Sequence, residues 1–163
     1  MGYADPALQD QDTETRTLHD VHTVCVAAQL FFQQAARQVD DSNLRHKFLE
    51  LAILHSNAAN QLPASRHTPP AQIMTSELAA VQFWYLHQRA ALHKEAPQQM
   101  LTELAGLLQQ QLNVLKQLTK RVQSHAAKVT LAHLSAALQM ANDQLLPLLK
   151  VLPADGQKIQ TKN

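Results

Sequence analysis

Glycine is almost missing from this chain: three residues in 163, of which only Gly106 lies in the body of the sequence. No glycine-rich phosphate loop can be written from that supply. A single cysteine, Cys25, excludes an internal disulfide and a Cys-rich zinc site. Charge of one sign is also lacking. Fourteen Lys and Arg meet 13 Asp and Glu, leaving a formal +1 and no electrostatic pull toward nucleic acid or an anionic membrane. No run of uncharged apolar residues is long enough to span a bilayer. The opening MGYADPALQDQD has no basic region followed by an apolar stretch, so it does not read as a secretory leader. After Gly2, Pro6 stands where a myristoylation signal requires Ser or Thr. These absences lead to the expectation of a soluble, cytoplasmic protein without nucleic-acid or membrane partners.

What fills the chain instead is Leu, Ala and 21 Gln, a composition that favours helices. Apolar residues recur at alternating steps of three and four. The first helix is expected from about Thr15 to Val39, with a seam of Leu18, Val21, Cys25, Ala28, Phe32, Ala35 and Val39 and a capping box of Thr17 with Asp20. Asp41 or Ser42 caps a second helix carrying Leu44, Phe48, Leu51, His55, Ala58 and Leu62. A linker with Pro69-Pro70 follows. A short third helix uses Leu78, Val81, Trp84, Tyr85 and Leu92, and Pro97 is placed to open the fourth. The fourth helix holds Leu101, Leu104, Leu108, Gln111, Leu115, Leu118 and Val122. Ser124 caps the fifth, whose last turn Pro147 should distort or end. The expected layout is a tail over 1–14, one bundle domain over 15–152 and a tail over 153–163. Within the domain lie a hairpin over 15–62, a crossover over 63–97 and a hairpin over 98–152.

A displacement of 83 residues lays the first hairpin on the last without a gap. Leu18 meets Leu101, Asp20 meets Glu103, Phe32 meets Leu115, Asp41 meets Ser124, Leu51 meets Leu134, and Gln61-Leu62 meets Gln144-Leu145. Two such hairpins joined by a long crossover predict an all-α, ferritin-like four-helix bundle whose crossover carries a short extra helix. The stretches QLFFQQAARQVDDSNLRHKFLELAILHSNAANQLP (29–63), ELAAVQFWYLHQRAALHK (77–94) and Met100 to Leu152 resemble an uncharacterised bacterial family of the ferritin-like superfamily. The resemblance implies the superfamily fold. It does not carry the superfamily's di-metal centre, which needs inward-facing Glu residues and two Glu-x-x-His motifs. Between Ser42 and Asn142 the only acids are Glu50, Glu77, Glu95 and Glu103. They are followed three residues on by Ile53, Ala80, Gln98 and Gly106.

The remaining candidates are histidines. His19 and His22 share a helix face, and His55 lies on a core seam; all three are metal-ligand candidates, though no acid or second Cys completes a set. His125, with Lys128 three residues on, resembles a histidine-phosphotransfer site. Val129 then stands where those domains use Gly. Asp20 and Glu103 read as first-turn acids stabilised by the helix dipole. Cys25 reads as a small buried hydrophobe. Phe83-Trp84-Tyr85 spans too wide an arc of helix to face one core, so some of it packs and Trp84 or Tyr85 could meet a partner. The expected function is non-catalytic, through self-association or a protein partner and without a cofactor. The alternatives are a His-based metal or small-ligand protein and a phosphotransfer-like bundle.

Overall fold

The computed structural model describes residues 6–62, 76–92 and 97–151. They form five α-helices and no strand: α1 (Pro6–Gln38), α2 (Ser42–Gln61), α3 (Ser76–Ala91), α4 (Gln98–Arg121) and α5 (His125–Val151). The expected linker with Pro69-Pro70, His93 and the tail 153–163 lie outside the described residues.

Local sequence sets most of the boundaries. The Asp41 side chain accepts a hydrogen bond from the Leu44 amide at 2.8 Å, and Ser124 accepts one from the Ala127 amide at 3.1 Å. Each oxygen satisfies an amide that the first turn of a helix leaves without a partner. Arg45 closes the α1–α2 turn by donating to the Val39 carbonyl at 3.1 Å. Pro97 sits one residue ahead of α4 and its carbonyl takes the Leu101 amide at 3.0 Å.

One boundary differs from the sequence reading, and at Pro147 the helix continues instead of ending. α1 begins at Pro6 rather than Thr15, so residues 6–14 are helix and not tail. Proline suits a first helical turn because its missing N–H would have no intrahelical acceptor there. Thr17 therefore lies inside α1, where its hydroxyl donates to the Thr13 carbonyl at 3.0 Å, and the expected capping box with Asp20 does not form. α5 runs through Pro147 to Val151. Pro147 and Asp143, whose carbonyl loses its usual donor, are both exposed, so the broken bond falls where water can replace it.

The principal helix pairs are α1 with α2, α2 with α5, α5 with α4, α4 with α3, and α3 with α1. They close a ring. α3 is therefore part of the bundle wall, packed on both α1 and α4, where the four-helix expectation had placed it on a crossover. Lys47 meets Gln144 at one end of the α2–α5 pair, and Gln61 lies beside Thr130 at the other, so those helices are antiparallel. Gln88 near Glu103 and Tyr85 near Gln111 make α3 and α4 antiparallel as well.

Inside the ring, Phe31, Phe32, Phe48 and Tyr85 are fully buried. Phe31 and Phe32 sit edge to face at 5.0 Å, and Phe31 meets Trp84 the same way at 5.1 Å, geometries that suit the ring quadrupole. Of the expected interior residues, Phe32, Leu51, Leu115 and Leu134 are buried; Leu18 and Leu101 are half-buried against the core. Trp84 is likewise half-buried, and its indole N–H donates to Glu103 at 3.2 Å. Glu103 also accepts from the Gln88 amide at 3.2 Å, so it ties α3 to α4.

Trp84, like its neighbour Tyr85, thus seats α3 on two helices at once. Trp84→Ala should destabilise the fold by about 3 kcal/mol, the low end for truncating a large core aromatic. A urea denaturation midpoint indistinguishable from wild type would show that α3 is seated by other contacts.

Candidate functional site

The most chemically distinctive place in the molecule is a chain of polar side chains in the middle of the apolar ring. It is built by one residue from each of three helices: His55 of α2, Tyr85 of α3 and Gln111 of α4, exposed by 0%, 0% and 1%. All three lie on core-facing helical steps, so the periodicity that buries their apolar neighbours buries them too.

The hydrogen bonds fix the direction of every proton. A carbonyl can only accept, so His55 Nδ1, 2.8 Å from the Leu51 carbonyl, carries the ring hydrogen and donates it. His55 Nε2 then offers its lone pair to the Gln111 amide nitrogen at 3.0 Å. Gln111 Oε1 accepts from the Tyr85 hydroxyl in a short hydrogen bond. The imidazole stacks against Phe32 with centroids 5.6 Å apart and meets Tyr85 edge-on at 6.3 Å. Each polar atom in the chain is used, which removes most of the cost of burying it.

Burial sets the electrostatics. Desolvation lowers the His55 pKa to about 4, opposed by the hydrogen bond to Leu51. It raises the Tyr85 hydroxyl well above its ordinary value, with Cys25 adding to the rise. Desolvation also pushes Cys25, 1% exposed, up to about 12. Burial thus holds the imidazole, the phenol and the thiol in their neutral forms, and the lone pair of the imidazole is taken by the Gln111 amide.

The other sequence candidates are dispersed. His22 Nδ1 donates to the Ala59 carbonyl at 2.9 Å and so pins α1 to α2. His19 lies beside it, the rings stacked at 6.4 Å, with a buried Nδ1 that has no hydrogen-bond partner. Both nitrogens of His55 are engaged, leaving no lone pair for a metal ion. Among the described residues, no three His, Cys, Asp or Glu side chains converge to hold a metal ion. His125 is the exposed first residue of α5. Of the aromatic run, Tyr85 is fully buried, so it presents nothing to a partner, and Trp84 is half-buried. The exposed member is Phe83, 67% exposed and stacked on His87 at 5.6 Å.

Neither Asp20 nor Glu103 lies in the first turn of its helix. Asp20 lies deep within α1, because that helix starts at Pro6, and desolvation raises its pKa. Glu103 holds Trp84 and Gln88 instead of facing a helix dipole. Glu14, within the expected tail 1–14, accepts from the Gln123 amide at 2.5 Å and the Ser124 amide at 3.1 Å. Those hydrogen bonds bring its pKa below the ordinary carboxylate value against an opposing desolvation. Glu14 thereby fastens the start of α1 to the α4–α5 turn. Asn142, 1% exposed with its Oδ1 unpartnered, is a further buried polar group that periodicity places on the α5 seam but composition does not flag.

The depressed His55 pKa has a consequence for stability. The unfolded chain takes up a proton near the ordinary value of 6.5, while the folded chain refuses it until about 4. Protons therefore favour unfolding as pH falls through that window, by on the order of 3 kcal/mol over its full width. Folding stability followed by urea titration should decline from pH 6.5 toward pH 4, and His55→Leu should flatten that decline. An equally steep decline in the variant would mean that other groups carry it.

Comparison with family models, with curated proteins and with solved structures finds no match to this chain.

Proposed function

We propose that this protein is a non-catalytic helical bundle of ferritin-like connectivity, built from a duplicated hairpin, that acts by self-association through the outer face of α3. The connectivity is supported by direction. α2 and α4 each run antiparallel to α5 and so run the same way as each other, as the second and third helices of a ferritin-like bundle do, although here the return between them is α3, a helix of the wall. The membership of the ferritin-like superfamily rests on the sequence resemblance over 29–63, 77–94 and 100–152.

The observation that carries the proposal is that α3 is apolar on two faces. Leu78, Val81 and Tyr85 point into the ring, while Phe83 and Leu86, 67% and 46% exposed, lie on the outside with exposed Ala90. Exposed apolar clusters of this kind mark interaction surfaces. Phe83, Leu86 and Ala90 are uncharged, with His87 and Arg89 at their edge, so the centre of this face can meet its own image in a second copy. The interior supports the non-catalytic half of the reading. Each polar side-chain atom of the His55 chain has a hydrogen-bond partner and is closed to solvent, which suits a device for helix register better than one for turnover.

Sedimentation equilibrium should find a concentration-dependent dimer that Phe83→Glu with Leu86→Lys converts to monomer. Both residues are exposed, so the helical circular dichroism and melting temperature should change little. A wild-type chain that stays monomeric at high loading, or a variant that still dimerises, would reject the α3 interface.

A further inference from the structure

The α2–α5 pair has two ends that correspond under the 83-residue displacement, share a glutamine and differ in the charged residues beside it. At the first end Lys47 lies along the groove, its side chain only 12% exposed, with Nζ 2.5 Å from Gln144 Oε1 and 2.6 Å from Glu50 Oε2. At the second end Thr130 stands where Lys47 would, His133 where Glu50 would and Gln61 where Gln144 would. There the groove is open. Leu54, Ala58, Leu134 and Ala137, together with these three polar residues and Asn57, line a cleft of about 180 Å³. A single water needs only about 10–15 Å³ of such space, so the cleft admits a ligand of several heavy atoms.

We propose that this cleft binds a primary ammonium group on a short unbranched alkyl chain, in the manner in which the first end binds the side chain of Lys47. The apolar lining takes the methylenes that Lys47 supplies internally at the other end. The amide oxygens of Gln61 and Asn57 are the acceptors available to the ammonium, as Gln144 Oε1 is for Lys47. Because His133 replaces Glu50, the second end lacks the carboxylate of the first. The expected affinity is on the order of millimolar, within reach of so small a ligand. The inference goes beyond the self-association reading: the α2–α5 cleft and the outer face of α3 belong to different helices.

The test uses the full chain titrated with n-butylammonium, followed by amide chemical shifts, with n-butanol as the neutral comparison. Saturating shifts at Gln61, Thr130 and His133 with butylammonium, and much smaller ones with butanol, are expected. Thr130→Lys should fill the cleft from within, abolish the response and raise the melting temperature. His133→Glu should restore the missing carboxylate and tighten binding by about two- to five-fold, the scale of an exposed ion pair. This second variant reads a gain, so the proposal stays open to test even if Thr130→Lys misfolds. Absence of saturable shifts in wild type, equal responses to butylammonium and butanol, or undiminished binding by a folded Thr130→Lys would each overturn it. None of these outcomes bears on dimerisation, which is read separately by sedimentation.

Discussion

Gln111 is the hinge of this architecture in a chemical sense. Its amide is one of few groups able to satisfy His55 Nε2 and the Tyr85 hydroxyl together, because it presents a donor on one side and an acceptor on the other. Any sliding of α2, α3 or α4 along its neighbours would leave buried polar atoms without partners, at about 1–3 kcal/mol apiece. Apolar seams alone are tolerant of such shifts, since one leucine packs much like another. The Tyr85–Gln111–His55 chain removes that tolerance. It also draws α3, the shortest helix, into the wall between α1 and α4.

The periphery reinforces this arrangement with ties between helices. Glu103 receives Trp84 and Gln88 from α3, His22 of α1 donates to the α2 backbone, and Glu14 of α1 receives the amides of the α4–α5 turn. Several of these side chains are polar residues that composition alone would assign to a solvated surface. Their work is to join helices that the apolar seams bring alongside without fixing their height.

The helices themselves were legible because a repeating step of three and four needs only the sequence along one element. The seams of α2, α4 and α5, the caps at Asp41 and Ser124, and the seam positions of Cys25, His55 and Gln111 were all readable in that way. The ring was not. Periodicity states that a helix has an apolar face, but not which helices it joins, so it cannot distinguish α3 on a crossover from α3 in the wall. The start of α1 escaped because its first turns are rich in Gln and Asp and show no seam; Pro6 was the signal to be found. The partner of Gln111 escaped as well, because Phe83-Trp84-Tyr85 cannot be apportioned between inside and outside until the orientation of α3 is known.

The buried polar chain acts as one unit, and the positions of α2, α3 and α4 depend on it. The most direct measurement is a double-mutant cycle between Tyr85→Phe and Gln111→Leu, read by urea denaturation at neutral pH. A unit predicts a coupling of about 1 kcal/mol or more, since either change alone strands the other's partner atom. Costs that add within about 0.3 kcal/mol would contradict it, because Tyr85 and Gln111 would then be buried side by side without depending on each other.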